Sequence, residues 1–229
     1  NFRISWRRFP QEFFSQLAYI KQANALLHVK NGRLPEKEGK AIIAAAKEVA
    51  QGKFANEFGL DVFQAGAGTP LNMTMNEVIA NRALVLLGER KGKYSRVHPN
   101  NHVNMGQSTN DVIPSAIRMT AYEFSLQFEK ELHQTISQLE KTRKNYSNEL
   151  KVGRTHLQAA VPITLGQELS SHRDALQESL SKIQTARKDL LELPLGGTAI
   201  GTGITTSPGD DSKVIGQLKR ITKRPYTAS

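Results

Sequence analysis

The sequence predicts an all-α chain. A small helical N-terminal domain covers residues 1–107, and the first long helices of an incomplete central bundle cover 108–229. Three observations predict it. Apolar residues recur at steps of three and four along most of the chain. Two of these periodic stretches are long, one running from Ser108 past Leu139 and the other from Leu165 to Leu190. Gly and Pro cluster between the periodic stretches, where helices stop and start.

The elements follow in order. Pro10 suits a helix start, because its missing N–H would be unpaired there anyway. Phe13, Leu17, Ile20 and Leu27 then keep helical spacing, and Gly32 closes the helix. Pro35 opens a second helix carrying Ile42, Ala46 and Val49, which ends near Gly52. Phe54 to Thr69 has no period and is read as irregular. Asn72 to Leu87 is read as a third helix with Val78, Ile79, Ala83 and Leu86 inward, and residues 89–107 as a loop. From Ser108, the residues Ile113, Ile117, Ala121, Phe124, Phe128, Leu132, Ile136 and Leu139 mark one helix. At 1.5 Å per residue it is roughly 60 Å long. A loop is expected over 149–162. Leu165, Leu169, His172, Leu176, Leu180, Ile183 and Leu190 then mark a second long helix, broken by Pro194 and Gly196-Gly197. A short helix is expected over 211–222. Two stripes of this length need cover from further chain or from other subunits, so Leu169, Leu176 and Leu180 are expected to form a self-association surface.

The chain has 229 residues, with hydrophobic residues at 38% and aromatics at 7%. That is an aliphatic globular composition with room for a substantial core. No apolar run is long enough to span a bilayer, so no membrane partner is expected. The start, Asn1-Phe2-Arg3-Ile4-Ser5-Trp6-Arg7-Arg8, is too polar for a secretory signal and lacks an initiator Met. Cysteine is absent, which excludes disulfides and thiolate metal sites within the chain and fits a cytoplasmic protein. The net charge of +10 raises a nucleic-acid reading. The basic clusters carry no interleaved aromatics, so solvated helix faces are the preferred reading and no nucleic acid is expected.

Four segments between helices concentrate small polar residues. They are Gly66-Ala67-Gly68-Thr69-Pro70-Leu71-Asn72-Met73; His98 to Asp111; Gly153-Arg154-Thr155-His156-Leu157-Gln158; and Gly196-Gly197-Thr198-Ala199-Ile200-Gly201-Thr202-Gly203. Ser108, Thr109, Asn110 and Asp111 stand at the mouth of the first long helix. The unpaired N–H groups of a first turn attract anions, and hydroxyls added there make a carboxylate pocket. Plain helix capping explains the same residue types, although four in a row exceed what one cap needs. His156 beside Thr155 is a candidate for proton transfer; singly, a histidine is more often structural or merely exposed. The histidines at 28, 98, 102, 133 and 172 are read as having no helical carboxylate partner at metal-ligand spacing, so no metal is expected. The fourth segment fails as a phosphate loop, since no Lys follows in place and a helix precedes it. A tight turn between packed helices is the expected role.

Together the segments resemble the aspartase/fumarase family of fumarate lyases. The first is similar to its GxGT-xx-NM-xx-NE pattern, continuing as Asn76-Glu77. The second is similar to HPNDHVN-xx-QS(S/T)ND, with Asn101 where the family segment has Asp. The third resembles GRTHLQ…P-x-TLGQE through Gly166-Gln167-Glu168, and the fourth GGTAIGTG. The resemblance runs in the family's order over nearly the whole chain. The family's GSS-x-MP-x-K-x-NP loop, which carries its catalytic Ser, is not in the sequence. An N-terminal portion of such an enzyme is therefore expected, inactive by itself.

The resemblance implies a mechanism without a cofactor. A base takes the proton beside one carboxylate of a small dicarboxylate, giving an aci-carboxylate dianion, and ammonium or hydroxyl leaves the next carbon. Stabilising the growing charge carries most of the catalysis. By motif, Thr69, Ser108 and Thr109 surround the carboxylate that becomes dianionic, and Thr155 holds the other. Asn110 and His156 meet the leaving group, His156 with an acid role in a hydratase. The family's active sites form where three subunits of a homotetramer meet. Gly66-Ala67-Gly68-Thr69, Gln107 to Asp111 and Ala160 to Ile163 look more like aspartate ammonia-lyases; His98-Pro99-Asn100 and Gly196-Gly197 lean towards fumarate hydratases. L-aspartate is the favoured substrate, with malate or fumarate the alternative. A basic nucleic-acid binder and a non-catalytic helical scaffold are the readings from other classes.

Overall fold

The computed structural model describes residues 3–229; Asn1 and Phe2, which open the polar stretch read against a secretory signal, lie outside the described residues. Its helices are α1 (Gln11–Lys30), α2 (Glu36–Ala50), α3 (Thr69–Leu86), α4 (Thr109–Asn145), α5 (Leu165–Asp189) and α6 (Asp210–Thr222). Short 3₁₀ and π turns cover Ala55–Glu57 and Pro99–Val103. The fold is all-α, with two small two-stranded ladders: β1 (Leu150–Thr155) with β2 (Gln158–Thr164), and β3 (Glu192–Leu193) with β4 (Thr227–Ala228). Among the described residues no helix is long and apolar enough to cross a membrane.

The boundaries follow local chemistry. Pro10 and Pro35 stand immediately before α1 and α2 in extended conformation, which sets the entry of each helix. α3 begins at Thr69, three residues earlier than its apolar period. Gly68 supplies the left-handed φ of 84° that turns the chain into the helix, and Pro70 fits the first turn. α5 starts with a reciprocal cap: Thr164 Oγ1 accepts from Gln167 N, and the Gln167 side chain accepts from Thr164 N.

The chain folds into two compact units. The first comprises residues up to Thr120 together with Leu191–Ser229. In it α1 packs against α2, α3 and α6, and α2 against α3. Leu17, Ile20, Ile42, Met75, Ile79, Leu84, Met119 and Leu218 are fully buried at the centre. Phe14 stacks on Phe58 with ring centroids 4.3 Å apart. Burying each such side chain contributes about 1.5–3 kcal/mol.

The second unit, Ala121–Leu190, holds the rest of α4, the β1–β2 hairpin and α5. Its two helices run antiparallel. Glu140 on α4 meets Arg173 on α5 at 2.6 Å, and Glu129, earlier on α4, pairs with Arg187 and Gln184, later on α5. Within 121–190 only Leu132 and Leu180 among the large apolar side chains are buried. Leu180 was expected on the outer self-association stripe. Instead it lies in the seam between the two helices, because its position on α5 faces α4. Leu169 and Leu176 are half-buried.

Two further expectations are corrected. Residues 149–162 are not a loop: 150–155 and 158–164 form an antiparallel hairpin with Thr155 opposite Gln158. The ladder breaks between Val152 and Arg154, where a Cβ on Gly153 would lie 2.8 Å from the Val161 carbonyl oxygen. A histidine also does pair with a carboxylate one helical turn away, since His133 Nε2 lies 3.7 Å from Glu129 Oε1. No third ligating side chain joins them among the described residues.

Leu180→Ala is expected to destabilise the second unit by about 2–5 kcal/mol, as a large-to-small change in a buried seam does. Leu157→Ala, at a side chain 95% exposed, should change stability by less than about 0.5 kcal/mol. Denaturant unfolding of the two variants checks the contrast.

Candidate active site

Two helix starts meet in the first unit. Gly68 precedes α3 and lies against α4, since a Cβ there would sit 3.4 Å from Ile113 Cγ2. Asn72, in the first turns of α3 and 1% exposed, donates from Nδ2 to Thr109 Oγ1 at 3.2 Å and to Asn104 Oδ1 at 3.3 Å. The starts of both helices therefore lie in one neighbourhood, and the positive ends of two helix dipoles there favour negative charge. Thr69 is exposed in the first turn of α3, and Ser108 and Thr109 are half-buried at the start of α4.

The four polar residues at the mouth of α4 each have a distinct partner. Ser108 Oγ accepts from Asn110 N at 3.1 Å, and Asp111 Oδ1 accepts from Ser108 N at 3.0 Å. That is a reciprocal helix cap, so the capping reading holds for Ser108 and Asp111. The other carboxylate oxygen of Asp111 accepts from Gly196 N at 3.2 Å and Thr198 N at 3.0 Å. Asn110 Nδ2 donates to the Ala199 carbonyl at 2.8 Å. The glycine-rich segment is thus docked on the start of α4. Ser108 and Thr109 use their hydroxyl oxygens as acceptors in these bonds. A hydroxyl has one proton to give, and neither proton is used in these bonds.

A buried lysine backs this arrangement. Lys21 on α1 is 0% exposed, and its Nζ donates to Asn104 Oδ1 at 2.9 Å and Gln107 Oε1 at 3.1 Å. Burial pulls its pKa down to about 7, against the field of Asp111, which raises it. Burial likewise pushes Asp111 up, opposed by its three backbone N–H donors and by Lys21. Sequence reasoning missed Lys21, Asn72, Asn104 and Gln107. One signal was available. Leu17, Lys21, Asn24 and His28 follow one stripe of α1 at helical spacing, and all four are buried. Three polar residues on a buried stripe need partners.

Thr155 and His156 belong to the second unit, at the tip of the hairpin. His156 and Leu157 form the two-residue turn, with φ of 50° and 62°. A turn with both central residues left-handed matches the twist of a hairpin and is usually made by Asn-Gly. Two residues with a Cβ hold this conformation at a cost of about 1–3 kcal/mol each. Both Thr155 and His156 are exposed. The structure thus gathers Thr69, Ser108, Thr109 and Asn110 in one unit and Thr155 with His156 in the other.

Two helix starts with side-chain hydroxyls, backed by a buried lysine, mark the candidate site of a helical protein. The comparisons give the family. The lyase family's sequence profile matches residues 2–229. The chain is 44% identical to a class II fumarate hydratase of Nitrosomonas europaea, over 99% of this chain and 49% of that protein. It is 40% identical to an aspartate ammonia-lyase of Bacillus subtilis, over 100% of this chain and 48% of that protein. A crystal structure of a Brucella melitensis fumarate lyase:delta crystallin superposes with a TM-score of 0.94 at 40% identity, covering all of this chain and 50% of that one. A class II fumarase from Schistosoma mansoni superposes with a TM-score of 0.89 at 38% identity, over 98% of this chain and 47% of that one. The chain belongs to the lyase family that holds the class II fumarate hydratases and aspartate ammonia-lyases. It spans about half the length of the curated relatives it matches.

The depressed pKa of Lys21 has a stability consequence. From about 7 to 10.5 the unfolded chain still holds a proton that the folded chain has released, so stability rises with pH across that window. Relative to Lys21→Met, the wild-type unfolding free energy should therefore increase from pH 7 to 10, measured by urea titration. A difference that stays constant with pH would contradict the assignment.

Proposed function

We propose that the whole protein is a fumarate-forming lyase that converts L-aspartate to fumarate and ammonia by anti-elimination. The observation that carries this reading is the pair of helix starts with hydroxyl protons left to donate, at Ser108 and Thr109. A carbon acid next to a carboxylate is very weak, so the enzyme must stabilise the dianion that forms when the proton leaves. Fixed hydroxyls and helix-start N–H groups do this without reorganising, which is how an oxyanion site lowers a barrier. In this reading Thr69, Ser108 and Thr109 hold the carboxylate whose charge grows. Thr155 holds the second carboxylate. Asn110 and His156 face the departing group, and the strained turn at His156 sets its imidazole at the hairpin tip.

Fumarate hydration to malate is the second reading, favoured by the 44% identity to a class II fumarate hydratase. There, in the reverse dehydration of malate, His156 acts as the acid on the leaving hydroxyl. The Ala67 and Ala160-Val161-Pro162 positions support the ammonia-lyase. We further assign residues 1–107 to a smaller lyase domain and 108–229 to part of a long-helix bundle. The whole protein is taken as a cytoplasmic homotetramer. Ile117, Phe124 and Phe128 support assembly, since they share one helical face of α4 and are 50%, 38% and 52% exposed.

The test is to supply the protein at full length with L-aspartate and, separately, with L-malate, and to follow fumarate by absorbance. Turnover with aspartate alone is expected. His156→Ala should lower the rate by roughly 10²-fold if it moves a proton to the leaving group. Fumarate from malate alone would establish the hydratase instead, and no fumarate from either would overturn both readings.

A further inference from the structure

The buried lysine is not explained by packing. Leu17 and Ile20 on the same helix are fully buried among apolar neighbours, and an apolar residue at position 21 would fill the space without desolvating a charge. Lys21 gives its hydrogen bonds to two neutral amide oxygens, while Asp111 acts on it through space.

Below its pKa of about 7 Lys21 is an ammonium, which can donate and cannot accept. That one-way character propagates. Asn104 must turn Oδ1 towards Lys21, and the same oxygen then accepts from Asn72 Nδ2. The Asn104 amide nitrogen, held on the opposite side, donates to the Gln107 carbonyl at 3.1 Å. Asn72 is thereby fixed with its nitrogen forward, and that nitrogen also donates to Thr109 Oγ1. The opposite carbonyl oxygen of Asn72 is buried with no hydrogen-bond partner. A free amide would turn to satisfy that oxygen on the Thr109 hydroxyl. It does not, so the orientation is imposed from the Asn104 side, where Lys21 and the Gln107 carbonyl hold the amide together.

We propose that Lys21 is a positioning residue for the dicarboxylate pocket, fixing the polarity of the relay Lys21–Asn104–Asn72–Thr109 so that the Thr109 hydroxyl can only donate to the bound carboxylate. This rests on the reading of the Ser108–Thr109 neighbourhood as a carboxylate site. With Lys21 replaced, the Asn104 amide keeps only its bond to the Gln107 carbonyl, and Asn104 and Asn72 turn more readily. The Asn72 oxygen then takes the Thr109 proton, and the hydroxyl presents an oxygen lone pair to the substrate.

The experiment measures fumarate binding by calorimetry in the protein at full length and in Lys21→Met, Thr109→Val and the double variant, with thermal unfolding as the folding control. Wild type is expected to bind. Lys21→Met should bind roughly 10-fold more weakly, the scale of one charge-assisted hydrogen bond. The double variant should be no weaker than Thr109→Val alone, because both changes remove the same donor. A purely structural lysine would give additive losses. Asn104→Ala, which leaves the lysine charge in place and cuts the relay at a half-buried residue, should reproduce the loss, and it serves the same test if Lys21→Met does not fold. Full affinity in either folded single variant, or additivity with Thr109→Val, overturns the relay while the pocket stands. A wild-type protein that binds no dicarboxylate overturns the pocket itself, and the relay with it.

Discussion

The arrangement turns on the carboxylate of Asp111. One residue near the start of α4 ties three segments: it accepts from Ser108 N in the helix cap and from Gly196 N and Thr198 N in the glycine-rich loop. The group is 2% exposed, so its charge is desolvated, and burial pushes its pKa up. Three backbone donors and the field of Lys21 keep that charge tolerable. Helix, cap and loop are coupled through it. A change at the loop backbone is felt at the cap, and hence at the hydroxyls beside it.

This coupling gives the candidate chemistry its physical form. Dipolar groups stabilise a developing dianion only if they are already aimed and need not reorganise. Here the Ser108 oxygen is held by its own helix, Thr109 by Asn72 on α3, and Asn110 by the Ala199 carbonyl. Each hydrogen bond uses the side chain in one direction only. The hairpin tip is built differently. Its strain lies in the backbone at His156 and Leu157, which fixes an imidazole in a two-residue turn with no glycine.

Much of the fold was legible because helices of this length repeat their apolar positions many times. Leu17, Ile42, Ile79 and Leu132 all fell where the period put them inside. The first turn of α3 was not legible, because Gly68 and Pro70 start the helix through backbone conformation rather than apolar spacing. The hairpin was missed because its turn, His156-Leu157, lacks the Asn-Gly signature, and its Val and Ile residues are too few to establish alternation. In the site, the hydroxyl and amide segments stood out by density. Lys21 did not, because a lysine in a helix ordinarily reads as a solvated face, and only its partners from loop residues Asn104 and Gln107 reveal its burial. Asp111 read as a cap and proved also to be the anchor of a loop some 85 residues away.

The most direct test of the central role of Asp111 is amide hydrogen exchange at Gly196 and Thr198 in Asp111→Asn. The substitution keeps the shape and removes the charge, and its NH₂ cannot accept. If the carboxylate anchors the loop, exchange at both amides should speed by roughly 10-fold or more, the scale of one lost charge-assisted hydrogen bond, while amides in the centre of α1 keep their protection. Unchanged protection at Gly196 and Thr198 in the folded variant would show that the loop is held by other contacts, and the coupling of cap to loop would fail.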